Sequence, residues 1–156
     1  MAKRTPATLA LEKAGIAFTL HSYEYEPGAE RIGLAAAEAL GVPPGQVLKT
    51  LMAEVDGKPV CVIVPSDREV AMKKLAAVFG GKAAQMLAPA VAERLSGYHV
   101  GGISPFGQRR LVPTAIEQAA LEEESVFINA GQRGLQVRLA PRDAQAMLKA
   151  IVAAVT

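Results

Sequence analysis

The sequence has no tryptophan, a single cysteine and two histidines, and aromatic residues make up only 4% of its 156 positions. With one thiol, Cys61, no disulfide can form within the chain, which fits a reducing compartment. The thin aromatic share rules out a platform on which many bases stack, and it points to a core of Ala, Val, Leu and Ile. Neither sign of charge dominates, with 17 basic against 15 acidic residues and a net charge of +2. Strong, indiscriminate nucleic-acid binding rests on many phosphate neutralisations, and this balance does not supply them. Any RNA contact is therefore expected to be limited, with Gln108-Arg109-Arg110 as the best local basic patch. No apolar run approaches the length of about 20 residues that spans a bilayer. Met1-Ala2-Lys3-Arg4 leads into a helix-start pattern instead of an apolar signal segment. The expectation is a soluble, cytoplasmic protein with no membrane association.

What is present suits one globular domain over residues 1–156, since apolar residues make up 51% and charged ones 21%. Thr5-Pro6 reads as an N-cap followed by Pro at the first helical position, with Gly15 as the stop. Ile16, Phe18 and Leu20 alternate with Ala17, Thr19 and His21 as in a half-buried strand, and Tyr23 to Gly28 leaves regular structure. A helix is expected over about residues 32–40, closed by Gly41. Val47 to Val55 reads as a strand, Asp56-Gly57 as a tight hairpin turn, and Val60 to Val64 as a central strand, apolar on both faces. Helices are expected over about 68–79 and from Pro89 to Ser96. After these come a strand end at Tyr98 that breaks into a glycine-rich loop and a short extended piece, Leu111-Val112-Pro113. A hairpin, Ser125–Asn129 with Leu135–Leu139, and a last helix over about 142–155 complete the chain. Strands mixed with helices, with one hairpin at each end of the sheet, argue for a mixed α/β or α+β domain.

Lys49 is the most informative position. Alternation along its strand sets it on one face with Val47, Leu51, Ala53 and Val55, while Thr50 and Glu54 take the other. It is then the sole charge on the more apolar side, where an ammonium must find a partner or shift its pKa. A lysine whose stem lies on the core while its head reaches water gives the same pattern. The second feature is Gly101-Gly102-Ile103-Ser104-Pro105. Adjacent glycines let another group approach the backbone closely, and N–H groups exposed in such a turn can hold an anion or a developing oxyanion. An ordinary turn is the competing reading, and neither GxGxxG nor GKS/T is present. Ser104 is not in a GxSxG elbow. Cys61 lies in the most apolar strand and reads as inert core. His21 and His99 read as structural or solvated, and with no HExxH and no Cys/His cluster no metal site is expected.

Three segments together are more specific than any one. Tyr23-Glu24-Tyr25-Glu26-Pro27, Val47-Leu48-Lys49-Thr50-Leu51 and Gly97 through Gln108, with the Gly-Gly-Ile-Ser-Pro run inside it, resemble in order and spacing the YbaK/EbsC family. The late segment Gly131-Gln132-Arg133-Gly134-Leu135 fits as well. This is the free-standing relative of the editing domain inserted in bacterial prolyl-tRNA synthetases. The resemblance implies a strongly curved, barrel-like mixed sheet surrounded by helices. It also implies hydrolysis of mischarged aminoacyl-tRNA, Cys-tRNA(Pro) foremost, beside prolyl-tRNA synthetase and without metal or organic cofactor. The implied site lies between the lysine-bearing strand and the glycine loop, with Lys49, Gly101 and Gly102 acting on the ester. Tyr23, Thr50, Ile103, Ser104, Pro105, Asn129 and Gln136 are expected to bind substrate. For a cysteinyl ester the resemblance implies attack by the substrate's own thiol, with release of a thiolactone. Relatives often carry Ser in place of Asn129 and Asp in place of Gln136, so a broader amino-acid range is one alternative. A non-catalytic module binding aminoacyl-tRNA or the synthetase, and an enzyme acting on a small acyl metabolite, are two others.

Overall fold

The computed structural model describes residues 4–24 and 32–156, so Tyr25, Glu26, Pro27 and Gly28 of the irregular segment, and Met1-Ala2-Lys3, lie outside the described residues. In chain order the elements are α1 (Pro6–Lys13), β1 (Thr19–Ser22), α2 (Ile32–Leu40), β2 (Val47–Val55), β3 (Lys58–Pro65), α3 (Met72–Val78) and β4 (Ala84–Met86). They continue with α4 (Pro89–Ser96), β5 (Thr114–Glu117), β6 (Val126–Gln132), β7 (Leu135–Leu139), α5 (Pro141–Leu148) and β8 (Ile151–Ala153). The strands make one mixed sheet in the order β1-β7-β6-β2-β3-β5-β8, with β4 paired to β2. The expected α/β class and mixed sheet are present, but the sheet does not close on itself. Among the described residues no helix is long and apolar enough to cross a membrane.

Local chemistry explains most boundaries. The Thr5 hydroxyl accepts from the Thr8 N–H at 3.1 Å while the Thr8 hydroxyl accepts from the Thr5 N–H at 2.9 Å, a reciprocal cap that starts α1. Asp56 and Gly57, with φ of 50° and 81°, form the two-residue turn joining β2 to β3, the conformation that Asp-Gly favours. β3 lies between β2 and β5, and its residues Val60 to Val64 are buried as expected for a central strand.

Three expectations are corrected. The two hairpins do not sit at opposite ends of the sheet: β6 runs parallel to β2, so the hairpins meet in its middle. The last helix stops at Leu148, because Lys149 takes a left-handed conformation (φ 51°) and the chain re-enters the sheet as β8 beside β5. No strand precedes the glycine loop, which follows α4 directly, and the extended piece near Val112 forms its strand one step later, as β5. Lys49 shares its face with Val47, Leu51, Ala53 and Val55, but that face meets the smaller clusters and not the larger core. Leu48 and Met52, which share the Thr50 face, pack into the larger core with Ile63, Ile116 and Ile128. Ala53 and Val55 join a smaller cluster with Val62, Val64 and Leu75. Both faces of β2 are covered, as a strand with few polar residues requires.

One pairing detail positions the site. β3 covers one edge of β2 from Leu48 to Val55. The other edge is shared: β6 pairs only at Val47 and Leu48, and β4 only from Ala53 to Val55. A gap is left in the middle of the sheet.

Candidate active site

A cavity of about 500 Å³ opens at this gap. Its floor is the middle of β2, and Gly101 and Ile103 of the glycine loop stand on its wall, with Asn129 of β6 and Gln136 of β7. Lys49, Thr50, Gly101, Ile103, Asn129 and Gln136 thus share one hollow, although they come from four separate parts of the chain.

The Lys49 side chain is 22% exposed, and its Nζ lies 3.4 Å from Oε1 of Glu69, itself 91% exposed. An ion pair with so solvated a partner holds the ammonium weakly, so an incoming anion can replace Glu69. Asn129 and Gln136 are opposed in the β6–β7 register, and both are buried. Asn129 is committed to its own strand: its Oδ1 accepts from the Gly131 N–H at 2.7 Å and its Nδ2 donates to the Gln132 carbonyl at 3.2 Å. These bonds brace the register shift between Asn129 and Gln132 that bends β6 away from β2. Gln136 differs, because its buried Oε1 has no hydrogen-bond partner among the described residues, and neither does the Thr50 hydroxyl. Two residues that line one cavity thus each keep a buried oxygen unpaired, which is unfavourable.

The glycine loop is held rigidly. Tyr98 donates through its hydroxyl to the Phe106 carbonyl at 2.5 Å, and Gln108 donates to the Ser104 carbonyl at 3.0 Å. Gly101 has φ 94°, a conformation in which a side chain is strained. Gly102 is needed for a different reason. A Cβ there would lie 2.9 Å from the Arg133 nitrogen and from the Gln132 Cα, so the loop rests directly on the β6–β7 turn. The Gly102 N–H is used inside the loop, donating to the His99 carbonyl at 2.8 Å. Neither the Gly101 N–H nor the Ile103 N–H meets an acceptor among the described residues, and both residues line this wall.

The remaining sequence-predicted residues sit behind the cavity. Ser104 is fully buried, and its hydroxyl accepts from the Phe106 N–H at 3.2 Å, so it shapes the loop. Pro105 is buried beside it. Tyr23 packs against a satellite cluster of Ala36, Ala37, Val47 and Phe127 and is not itself among the lining residues, although Val47 is. Its buried hydroxyl has no partner among the described residues. His99 is exposed, 3.5 Å from Glu93, and His21 meets Thr19 and the edge of Phe127, so both are structural or solvated as expected. Cys61 is buried in the core, and burial pushes its thiol up to about 12 against weaker lowering by Thr114 and Gln108. Among the described residues no three His, Cys, Asp or Glu side chains cluster as metal ligands would.

Sequence reasoning missed Ser66, Met86, Leu87, Pro89 and Ala92 on the cavity wall. Ser66 was findable as the first polar residue after the apolar run of β3. The others are placed by β4 and the start of α4, and a strand of three residues leaves no periodicity to read.

The chain aligns with a protein of Enterococcus faecalis, EbsC, provisionally named a Cys-tRNA(Pro)/Cys-tRNA(Cys) deacylase, at 38% identity over 109 residues, 69% of this chain and 66% of that one. A proline–tRNA ligase of Nitratidesulfovibrio vulgaris is 37% identical over 81 residues, 52% of this chain but 14% of the ligase. The chain therefore spans just under two thirds of the first relative and a small part of the second. A solved structure provisionally described as a trans-editing enzyme for prolyl-tRNA synthetase superposes with a TM-score of 0.86 at 23% identity, over 99% of both chains, and shares the fold. The profile of the aminoacyl-tRNA editing domain matches residues 26–147, and the chain belongs to that family.

Proposed function

We propose that the protein is a hydrolase that cleaves the ester linking a wrong amino acid to tRNA, with Cys-tRNA(Pro) as its principal substrate. The observation that carries this reading is the meeting of Lys49 with Gly101 in one cavity, two of whose lining residues also keep a buried oxygen unpaired. An aminoacyl ester is already activated, so orienting its carbonyl and stabilising the developing oxyanion supply much of the acceleration. Lys49 provides the cation, for the terminal nucleotide's phosphate or for the aminoacyl carbonyl. The Gly101 N–H provides a donor to the oxyanion, a part that Gly102 does not share while its own N–H stays bonded to His99.

No side-chain nucleophile is required. Water attacks the ester carbon in the general case, and the ribose oxygen leaves with a proton. With a cysteinyl ester the substrate's sulfur attacks the same carbon, a C–S bond forms as the C–O bond breaks, and the proton passes to the ribose oxygen. The thiolactone that is released then opens with water. Cys61, buried and held as a thiol, takes no part. The cavity admits the aminoacyl end of tRNA, and prolyl-tRNA synthetase, acting alongside in the cytoplasm, supplies tRNA identity that a domain of net charge +2 does not read.

The test is a panel of cysteinyl-, alanyl-, seryl- and prolyl-tRNA, incubated with and without prolyl-tRNA synthetase. Rapid loss of the cysteinyl ester, with prolyl ester spared, is expected. Equal loss of alanyl and seryl esters would assign a broader range to the neutral Gln136, and lifetimes unchanged for all four would overturn the hydrolase reading.

A further inference from the structure

The gap in the sheet has a backbone consequence at Thr50. In an antiparallel pair, alternate residues turn their N–H and C=O toward the partner strand, and those between turn them away. The Val47 carbonyl accepts from the Ser66 N–H at 2.8 Å, so Val47, Lys49 and Leu51 face β3. The Met52 carbonyl instead accepts from the Leu87 N–H at 3.1 Å, on the opposite edge. Cys61, opposite Met52, donates its N–H to Pro113 at 2.9 Å, away from β2, which fixes the same phase independently. Thr50 shares the phase of Met52 and Leu48, so its N–H and C=O point into the gap.

Neither neighbour reaches them. The β6 ladder stops at Leu48 opposite Ile128, and the bulge after Asn129 carries β6 away. On the other side the β4 register, Ala53 with Met86 and Glu54 with Gln85, continues through Met52 and Leu87 and would next set residue 89 opposite Thr50. That residue is Pro89, which has no N–H to give and begins α4. Thr50 therefore presents a strand-edge donor and a strand-edge acceptor to the cavity it lines, and its buried hydroxyl has no partner among the described residues.

We infer that Thr50 captures the aminoacyl group as a one-residue extension of the sheet. The substrate's α-ammonium donates to the Thr50 carbonyl, and its acyl carbonyl oxygen accepts from the Thr50 N–H. This inference rests on the deacylase reading and adds the recognition element: a free α-amino group next to an acyl carbonyl, whatever the side chain. An N-blocked aminoacyl group keeps only an uncharged amide N–H for the Thr50 carbonyl and loses the charge-assisted bond, so a peptidyl or N-acetylated ester is expected to bind more weakly. The Thr50 hydroxyl, on the opposite face from Lys49, holds the edge of the same group.

The test uses the full chain with an adenosine bearing an amide-linked amino acid at its 3′ position, which cannot be hydrolysed, and the same compound N-acetylated. In the free protein the Thr50 amide should exchange with solvent at least about 10-fold faster than those of Lys49 and Leu51, which face β3. Saturation with the amide analogue should slow Thr50 selectively and move its NMR signal, whereas the acetylated compound should bind at least about 10-fold more weakly. Thr50→Val, which keeps the shape and the backbone, should lower deacylation by roughly 10-fold by loss of the hydroxyl alone while retaining the preference for a free amino group. Binding of the analogue with the Thr50 amide unmoved, or equal binding of the acetylated compound, overturns the inference and leaves the deacylase reading standing. Failure of the analogue to bind at all, together with absent deacylation, overturns both.

Discussion

A Gly102→Ala variant adds one methyl group where the glycine loop rests on the β6–β7 turn. The new Cβ would stand 2.9 Å from the Arg133 nitrogen and the Gln132 Cα, and 3.0 Å from the Gln132 carbonyl carbon. All three are backbone atoms, so no side chain can swing aside. The loop or the turn must retreat by roughly half an ångström to restore ordinary carbon contacts, and overpacking of this kind costs about 1–3 kcal/mol. For a chain of this length each kcal/mol lowers the melting temperature by about 2–4 °C, so a drop of roughly 2–12 °C is expected. The same retreat carries Gly101 and Ile103 away from Lys49. Catalysis is sensitive to misplacement on this scale, and kcat/KM should fall roughly 10- to 100-fold at temperatures where the variant is fully folded. Thermal melts by circular dichroism and deacylation of Cys-tRNA at 25 °C measure the two effects on one preparation. A variant melting within about 1 °C of the parent and retaining activity within about 2-fold would refute the argument that this contact sets the width of the cavity.

Two further outcomes follow from buried groups outside the cavity. Burial favours a protonated Glu117, but hydrogen bonds from the Ala119, Val155 and Thr156 N–H groups and the Thr156 hydroxyl outweigh it and hold the carboxyl below its ordinary value of 4.5. Since the folded pKa is the lower one, this stabilisation is complete above the unfolded value and is lost as pH falls through the folded one. Urea midpoints measured from about pH 7 down to pH 3 should decline in the acid limb, and Glu117→Gln should cost about 1–3 kcal/mol at neutral pH. An unchanged neutral-pH midpoint in that variant would remove the clamp. Cys61, with its thiol near 12, should resist a disulfide-exchange reagent at neutral pH until the protein unfolds. Cys61→Ala should cost about 1–2 kcal/mol in packing while leaving cysteinyl-ester cleavage intact, and an inactive but folded Cys61→Ala protein would show that an enzyme thiol is used.

Much of this was legible in order along the chain. The β2–β3 hairpin is visible because Asp56-Gly57 separates two apolar runs, and Lys49 stands out as a charge in the first of them. Alternation also places Asn129 and Gln136 correctly on strands, and α1 and α4 are announced by Pro6 and Pro89. What stayed hidden is long-range pairing. Whether Lys49 faces the larger core depends on which face of β2 the helices and β5 cover, and alternation within nine residues carries no record of that. Ile151 and Val152 fit a helix face or a short strand equally well, and only the left-handed turn at Lys149 decides between them. The exposure of the Thr50 backbone is the extreme case. It follows from where β6 stops, where β4 starts and the missing N–H of Pro89, three facts drawn from segments about 40 to 80 residues away.

The central claim is that Lys49 serves the ester inside the cavity and contributes little to holding the fold. Its ion pair with the exposed Glu69 should be worth less than about 1 kcal/mol to stability. A charge-assisted contact to the reacting group is worth about 1.5–4 kcal/mol, so single-turnover cleavage of Cys-tRNA(Pro) by Lys49→Ala should be slowed by roughly 10- to 1000-fold with the melting temperature nearly unchanged. A folded Lys49→Ala protein that cleaves the ester at the parental rate would contradict the assignment of this cavity as the active site.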